Sequence, residues 1–486
     1  MRASPYGEGG IFVDLELAGP ARAAQTRAAA RALARALPHA EVVVGAGCVA
    51  AFGVGTFDDA DDALRDVARA APHDDDARRV VHELPVVYDG ADTEELAAAL
   101  GATPRELMAL HSGAETTVEL VGFMPGFAYL AGLPAELHVP RRATPRARVE
   151  AGSVGVAGGW GGVYPSASPG GWRIVGRTVA DQFDAAREVP ARFSIGDRVR
   201  FVEVDSLPPA PTPATPSPVA APALIVAKIA ALVTVQDAGR PGWRAAGVPP
   251  GGAWDPTALA AANLAVGNAP GAAALEIAGG SVELLALRAL SVSLDGAPRA
   301  RIREGETLRV PSCERFVRVL AVSGGLDAPR VLGSRGASPS VGLGAPLARG
   351  DALGLAGSEG PPRAGPTVEA PPSPATLYAD PGPHFWCFSE ASRQRLFDAV
   401  WTRSARGDRV GVRLDGPPLA IDHGPLAFPV PMTRGAIEVP PDGAPIVLGP
   451  DHPTTGGYPV IAVLRRASQG VLGRLRPGAE LRLRLA

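Results

Sequence analysis

The chain has 486 residues, which is too long for one ordinary domain and predicts two to four. Its 47 basic and 50 acidic residues nearly balance, so the net charge does not indicate binding to nucleic acid or to an acidic membrane surface. Three widely separated cysteines argue against a disulfide framework and fit a reducing cytosol. No signal peptide or membrane-spanning apolar run is visible, so we expect a cytoplasmic protein.

The first 88 residues alternate between short apolar runs and helical patterns. Strands are predicted at 11–17, 41–44, 49–54 and 80–88, and helices at 21–37 and 58–71. This β-α-β-β-α-β order is typical of a ferredoxin-like α+β unit. The acids from Asp58 to Asp62 lie at the start of the second helix, where the helix dipole favours negative charge. A catalytic acid cluster is the alternative interpretation of these residues.

Two short helices are predicted next, at 93–100 and from Pro104 to about Ser112. Thr103 and Glu106 have the spacing of a capping box around Pro104. His111 lies at the end of the second helix. It is either a general base that titrates near neutral pH or a cap of the helix C-terminus.

The stretch 117–178 combines glycine, proline, arginine and aromatic residues at a density unlike the rest of the chain. Such a mixture predicts a rigid binding surface built from loops on a β scaffold. Arg141, Arg142 and Arg146 lie between prolines and either hold a carboxylate or bicarbonate or form a solvated basic turn. The aromatic side chains either surround a pocket or form core; they are Phe123, Phe127, Tyr129, Tyr164 and Trp172.

A segment rich in proline and alanine, 206–223, predicts an extended linker and the main domain boundary. A weaker stretch at 357–376 predicts a loop or a minor boundary.

A glycine with an acid beside or near it precedes a short alternating strand pattern at 194–201, 303–310, 348–355 and 476–483. These recurring turns, each followed by a predicted strand, suggest at least one barrel-like unit before the linker and about two after it.

Two motifs stand out in the second half. Gln236, Asp237 and Arg240 follow a predicted strand and either bind an amide or guanidine-like group or form a buried pair that pins the turn. The segment from Thr454 to Tyr458 predicts a ligand loop, because it offers hydroxyls and exposed amides.

Several common catalytic and metal-binding motifs are missing from the sequence. It contains no P-loop, HExxH, CxxC or GxSxG motif, so we predict no metal site and disfavour an acyl-enzyme.

Several long motifs resemble known families. GFMPGFAYLAGLP, PRRATPR and YPSASPGGWRIVGRT resemble allophanate hydrolase subunit 1, which is also called the B subunit of 5-oxoprolinase. TVQDAGRPGW, GVPPGGAWDP, GAIEVPPDGAPIVL and TTGGYPVI resemble allophanate hydrolase subunit 2, or the C subunit of 5-oxoprolinase. The motifs occur in the expected order, so the chain resembles a natural fusion of these two proteins.

The resemblance implies a fold that is α+β and mainly β. A ferredoxin-like unit at 1–88 would precede a cyclophilin-like β-barrel at 89–205, the linker at 206–223, and tandem cyclophilin-like barrels at 224–486. It also implies ATP-dependent opening of 5-oxoproline to glutamate, with ATP as co-substrate and the A-like third subunit of 5-oxoprolinase as partner. The alternatives are a carboxyltransferase-like half of a biotin-dependent urea or amide carboxylase and a sensor-kinase-binding regulator.

The motifs supply the candidate site residues. His111 and Asp237 are the candidate catalytic residues. The candidate residues for a small amide or lactam substrate are Phe123, Pro125, Phe127, Tyr129, Arg141, Arg146, Tyr164, Trp172, Gln236, Arg240, Thr454, Thr455, Gly456 and Tyr458. The sequence departs from the family pattern at Glu438, where the family usually has glutamine, at 451–454 and at 406–411.

Overall fold

The computed structural model describes residues 1–17, 19, 21–70, 79–209, 219, 221–422 and 428–486. Most of the predicted linker, 210–218 and 220, therefore lies outside the described residues. No helix within these ranges is long and apolar enough to span a membrane. The helices are α1 (Arg22–Ala36), α2 (Asp61–Arg69), α3 (Thr93–Ala99), α4 (Pro104–Ser112), α5 (Pro256–Ala265), α6 (Glu390–Asp398) and α7 (Arg466–Arg474).

The N-terminal sheet is antiparallel, with the order β1-β2-β4-β3. Its strands are β1 (Arg2–Pro5), β2 (Gly10–Asp14), β3 (Glu41–Val44) and β4 (Cys48–Phe52). Side chains alternate between the two faces of a strand. Ile11 and Val13 pack in one hydrophobic core with residues of α1 and α2, whereas Phe12 packs in another core with Met432 and Val460. Because both faces are buried there, the central strands β2 and β4 are nearly continuous apolar runs.

One predicted strand of the N-terminal unit belongs to the next sheet. The strand predicted at 80–88 is β5 (Val81–Val86), and it pairs in parallel with β13 (Arg198–Glu203). The N-terminal unit also starts with β1, which no sequence pattern indicated, so its element order differs from the expected β-α-β-β-α-β. An apolar run indicates a strand but not its partner; here Leu84 and Val86 enter the core of the first barrel-like sheet.

This seven-stranded sheet has the order β12-β9-β10-β7-β6-β13-β5, and a two-stranded sheet pairs β11 with β8. The remaining strands of the two sheets are β6 (Glu115–Val121), β7 (Ala128–Ala131), β8 (Arg146–Val149), β9 (Ser153–Ala157), β10 (Trp160–Val163), β11 (Ser168–Gly170) and β12 (Arg173–Arg177). The predicted capping box before α4 is confirmed, since Thr103 accepts from the Glu106 amide and Glu106 accepts from the Thr103 amide.

The second half begins with two five-stranded sheets that share one hydrophobic core. The first has the order β20-β17-β14-β23-β22 and the second the order β15-β16-β21-β18-β19. Their strands are β14 (Leu224–Ile229), β15 (Leu232–Gln236), β16 (Ala274–Ala278), β17 (Val282–Ala286), β18 (Leu290–Leu294), β19 (Ala300–Ile302), β20 (Thr307–Val310), β21 (Val317–Val322), β22 (Leu326–Asp327) and β23 (Ala352–Leu355).

The C-terminal part is a closed barrel in the order β24-β31-β28-β29-β26-β25-β32, with a short β27-β30 pair beside it. These strands are β24 (Ala375–Pro381), β25 (Val400–Gly407), β26 (Gly411–Asp415), β27 (Val430–Pro431), β28 (Ala436–Glu438), β29 (Ile446–Leu448), β30 (Thr455–Gly456), β31 (Val460–Leu464) and β32 (Glu480–Leu485). All four glycine and acid turns predicted from the sequence lead into strands: β13, β20, β23 and β32. The predicted fold class, α+β and mainly β with barrel-like sheets, is confirmed.

Candidate functional site

The two halves of the chain, 1–205 and 224–486, share a core at the N-terminal sheet and also meet at three loops. A β-carbon at Gly122 would lie 2.5 Å from Thr455 Cγ2, so the backbone of the first half approaches the second half closely. The Gly126 amide donates to the Ala246 carbonyl at 2.9 Å. A β-carbon at Gly247 would collide with the Met124 carbonyl oxygen. We call the region where 122–129, 236–247 and 452–456 come together the junction.

The aromatic residues of the first half line the inner side of this junction as packed core. Phe127 contacts four rings edge-on, with centroid distances of 5.5 Å to Phe123, 5.0 Å to Tyr129, 5.5 Å to Tyr164 and 5.3 Å to Trp172. All except Phe123 are buried, as is Pro125. Edge-to-face packing of this kind holds aromatic rings rigidly.

Phe123 adopts a backbone conformation that is rare for a residue with a bulky side chain. Its φ is 66°, in the left-handed region. The Met124 amide next to it donates to the Gly122 carbonyl at 2.7 Å, which makes this turn tight. Strained backbone of this kind is often found at functional sites, where the surrounding structure maintains it.

The basic segment divides its charges between structure and solvent. Asp92 is completely buried and accepts from Arg142 at 2.6 Å and from both terminal nitrogens of Arg146 at 2.8 and 2.7 Å. Burial alone would raise the pKa of Asp92, but these hydrogen bonds and the Ile174 amide hold it below its ordinary value. Arg142 and Arg146 thus anchor the loop.

Arg141 has a different setting from the other two arginines. It is exposed, and its charge acts on the buried phenols of Tyr129 and Tyr164. Burial raises the pKa of Tyr164 to about 12, and the charge of Arg141 opposes this shift. Among the three predicted arginines, Arg141 is the one without an ion pair to a described carboxylate, so it fits an anion-binding role best.

The Gln236–Arg240 turn is held by a dense set of hydrogen bonds. Asp237 accepts from the Ser334 hydroxyl at 2.5 Å and from the Arg335 amide at 2.7 Å. Gln236 donates to the Ala337 carbonyl at 2.7 Å. These contacts show Asp237 and Gln236 shaping the turn.

Arg240 begins a buried polar chain that crosses from this turn to the C-terminal barrel. It donates to Ser338 at 2.9 Å, and Ser338 donates to Asp451 at 2.9 Å. Arg409 then binds Asp451 at 2.9 Å and also pairs with Glu276. Burial alone would lower the pKa of Arg409, but the two carboxylates raise it above its ordinary value. Sequence reasoning missed Arg409 and noted only that its segment departs from the family pattern.

The predicted ligand loop faces two directions. The buried residues Thr454 and Thr455 lie at the junction, whereas Tyr458 is 37% exposed and lines a separate cavity of about 210 Å³. Gly456 lies between them and lets Met432 and Glu438 approach closely. The predicted loop therefore contributes its first half to the junction.

His452 precedes this loop and is also buried. Its Nδ1 lies 2.9 Å from the Pro453 carbonyl oxygen. Burial, with the nearby charge of Arg244, lowers the pKa of His452 to about 3. The imidazole is therefore neutral at physiological pH.

Buried polar atoms without a hydrogen-bond partner accumulate at the junction. Buried side-chain polar atoms in folded proteins normally have a partner, and each exception needs an explanation. At the junction the atoms without one are Gln236 Oε1, Arg240 Nε, Arg244 Nη1, His452 Nε2, Thr454 Oγ1 and Thr455 Oγ1. Donors and acceptors are both present in this cluster.

A cavity of about 600 Å³ lies beside the 236–247 loop of the junction. Arg187 and Glu188 line it from the first half, and Arg240, Trp243 and Leu332 line it from the second.

His111 lies apart from these contacts. It is buried, its Nδ1 lies 2.8 Å from the Tyr88 hydroxyl, and its ring packs 4.4 Å from that of Phe201. Burial lowers the pKa of His111 to about 4. Its described contacts are with barrel residues and not with the junction, so its catalytic role stays a prediction.

Glu438 is a second residue that sequence reasoning left out of the candidate site. It is only 8% exposed, and its side chain has no hydrogen bond or ion pair with another described residue. Burial raises the pKa of Glu438 to about 7, and the charge of Arg413 opposes this shift. Its replacement of the usual glutamine was the sequence signal that could have identified it.

The described ranges contain no group of three or more His, Cys, Asp or Glu residues that could hold a metal ion. Cys48, Cys313 and Cys387 are free thiols.

Comparisons with known proteins agree with the two-part architecture. Residues 1–193 match the carboxyltransferase domain, subdomain C and D, and residues 246–485 match the carboxyltransferase domain, subdomain A and B. The protein in the crystal structure of TTHA0988 is 33% identical in sequence to this chain. The two structures superpose with a TM-score of 0.84 over 98% of this chain and 99% of that one.

Curated relatives match each half separately. The first half is 50% identical over 123 residues to the B subunit of 5-oxoprolinase from Escherichia coli O157:H7. The aligned residues make up 25% of this chain and 56% of that protein. The match therefore spans about half the length of this relative. The second half is 33% identical over 274 residues to the C subunit of 5-oxoprolinase from Escherichia coli K12. The aligned residues make up 51% of this chain and 86% of that protein. The chain thus belongs to the carboxyltransferase-domain family that includes the C subunit of 5-oxoprolinase, with its B-like and C-like halves fused in one polypeptide.

Proposed function

We propose that this chain is the fused B–C component of a 5-oxoprolinase-type enzyme, which opens 5-oxoproline to glutamate with ATP and a separate A-like protein. The observation that carries the proposal is the junction itself. Relatives of the two halves are separate proteins, and here the halves meet where Gly122 contacts Thr455, beside a cluster of unpartnered polar atoms.

The chemistry of the junction fits a small lactam. Its free acceptors include the hydroxyls of Thr454 and Thr455, and its free donors include nitrogens of Arg240 and Arg244. A lactam with a carboxylate presents an N–H donor and several oxygen acceptors, which match this set. Arg141 at the outer surface would attract the anionic substrate by its charge.

We assign ATP binding to the complex with the A-like partner. The sequence of this chain contains no P-loop motif that would cradle the phosphates. The role of this chain is then to bind and orient the lactam and to exclude water from it. We place the activity in the cytoplasm, which the three free thiols support.

Purified full-length protein incubated with 5-oxoproline and ATP tests this function. We expect glutamate to form when the A-like protein is added and not without it. Omitting ATP from the complete mixture is the control, and it should abolish the product. Absence of glutamate in every mixture would refute the proposal.

A second candidate is the carboxyltransferase half of a biotin-dependent urea or amide carboxylase. The carboxyltransferase-domain match over both halves favours it. Biotin would then arrive on another protein, and the junction would bind the acceptor amide. Transfer of labelled carboxylate from free carboxybiotin to urea would support this candidate, and no transfer to urea or another amide would exclude it.

A further inference from the structure

A cavity of about 660 Å³ lies wholly within the second half of the chain and shares no lining residue with the junction. Three segments form its walls: the turn at 294–297, the loop and strand start at 313–318, and the exposed segment at 365–370. The last of these belongs to the stretch in which the sequence predicted a loop or a minor boundary. The contact between the two halves therefore gives this cavity no role.

Two largely buried guanidiniums share one carboxylate in the wall of this cavity. Asp295 Oδ2 accepts from Arg318 Nε at 2.6 Å and lies 3.5 Å from Arg315 Nη1. The Val319 amide donates to the other oxygen of Asp295, Oδ1, at 2.7 Å. Because a single oxygen atom contacts both arginines, their guanidiniums are held side by side. One carboxylate balances only one of their two permanent positive charges.

The second acid of the wall is already paired. Glu314 is the other acidic residue among the described residues that line the cavity. Its side chain is 91% exposed and pairs with Arg476 at 3.2 Å. One positive charge of the Arg315 and Arg318 pair therefore remains without a carboxylate in the wall.

The hydrogen bonds of the two arginines leave one of them with free donors. Arg315 Nη2 donates to the Val368 carbonyl at 2.7 Å, which ties the loop to the exposed segment. Arg318 uses only its Nε, and its two terminal nitrogens donate to no described residue. The Arg318 side chain lines the cavity and is 16% exposed. Its free end is therefore available to a ligand in the cavity.

We propose that this cavity binds a small anion, whose carboxylate or phosphate group accepts from the two terminal nitrogens of Arg318 beside the charge of Arg315. Asp295 holds Arg318 Nε, so the edge formed by the two terminal nitrogens is the one left for the ligand. Guanidinium groups bind carboxylates and phosphates through two parallel hydrogen bonds, which are stronger than bonds between neutral groups. The site is separate from the junction, so the inference does not rest on the proposed function.

Cys313 provides a reporter inside this cavity. Its thiol is free, half-buried and part of the cavity lining, and it lies 3.7 Å from the Arg315 carbonyl oxygen. Cys48 and Cys387 are both buried. A ligand in the cavity should therefore slow the alkylation of Cys313, whereas the other two thiols report whether the chain stays folded.

Alkylation of the full chain with a neutral maleimide, followed at each cysteine by mass spectrometry, tests the proposal. Inorganic phosphate and acetate are the two probes, and sodium chloride at the same ionic strength is the control for screening. At ~10 mM of one probe we expect the labelling of Cys313 to slow at least about fivefold, as a Kd of ~1 mM predicts. The probe with the larger effect identifies the group that the site prefers. A smaller effect with both probes would overturn the inference.

Three variants assign the protection to Arg318. Arg318→Gln removes the free guanidinium and should abolish the protection. Arg309→Gln makes the same change on an arginine of the same half whose side chain is 75% exposed, and it should keep the protection. Arg318→Lys keeps a cation for Asp295 but lacks the second terminal nitrogen, so it should weaken the protection about threefold or more.

The buried thiols decide which variant is informative. If Cys48 and Cys387 become reactive in Arg318→Gln, that variant has unfolded and Arg318→Lys supplies the result. Full protection of Cys313 in a folded variant of Arg318 would overturn the assignment, as would loss of protection in Arg309→Gln.

Discussion

Gly122 of the first half and Thr455 of the second half touch so closely that position 122 has no room for a β-carbon. That carbon would lie 2.5 Å from Thr455 Cγ2 and 2.9 Å from Thr455 Cβ. The distance between the halves is therefore set by a glycine, and the fit of the junction depends on it.

The first prediction concerns this contact. Gly122→Ala forces the Thr455 loop or the 122–129 turn to move, so we expect a loss of about 1–3 kcal/mol in the free energy of unfolding. Glutamate formation should fall at least about tenfold, because small displacements of a site are costly for catalysis. Denaturant unfolding and the glutamate assay measure the two effects.

Gly457→Ala is the matched control for this variant. Gly457 lies in the same loop, has no atom within 4 Å of its β-carbon position and does not have a positive φ. It should be neutral in both measurements. Equal behaviour of the two variants would show that the contact between the halves does not constrain the site.

The second prediction concerns Asp92. Asp92→Asn leaves Arg142 and Arg146 without their buried carboxylate, and breaking a buried pair in this way costs about 3–5 kcal/mol. Asp89→Asn, which breaks an exposed pair with Arg177, should cost less than about 1 kcal/mol. Urea unfolding compares the two, and similar losses would contradict the anchoring role of Asp92.

The third prediction is a pH dependence of stability from Glu438. Its pKa in the folded state, about 7, lies above its ordinary value of 4.5, so the folded state holds the proton more tightly. Stability is therefore lost as the pH rises between these values. Glu438→Gln should be more stable than the wild type by up to about 3 kcal/mol at pH ~8 and equally stable at pH ~4. Identical pH profiles would contradict the burial of an unpaired acid.

The fourth prediction has the opposite sign and concerns His111. Its folded-state pKa of about 4 lies below the ordinary 6.5, so the unfolded state binds the proton more readily. Stability is lost as the pH falls through this window. His111→Gln keeps an acceptor for Tyr88 and should reduce that loss, with kcat/KM unchanged within about twofold at neutral pH. A loss of about a hundredfold or more would instead support the general-base hypothesis.

Local signals in the sequence predicted local structure well. The capping box predicted at Thr103 and Glu106 precedes α4 and forms as expected. Such signals act within a few residues, so the sequence displays both partners side by side.

Contacts between distant residues were not predictable in the same way. Asp92 meets Arg142 and Arg146, and Arg409 meets Glu276, across long separations in the chain. No periodicity links such partners, so the basic segment gave no sign that Arg142 and Arg146 pair with Asp92. The same limit explains why β5 was expected in the N-terminal sheet although it pairs with β13.

The most direct test of a site shared by both halves is a crystal structure of the full chain with bound 5-oxoproline. We predict electron density for the ligand at the junction, in contact with residues of both halves. Density confined to a single half, for example in the cavity beside Tyr458, would contradict the account.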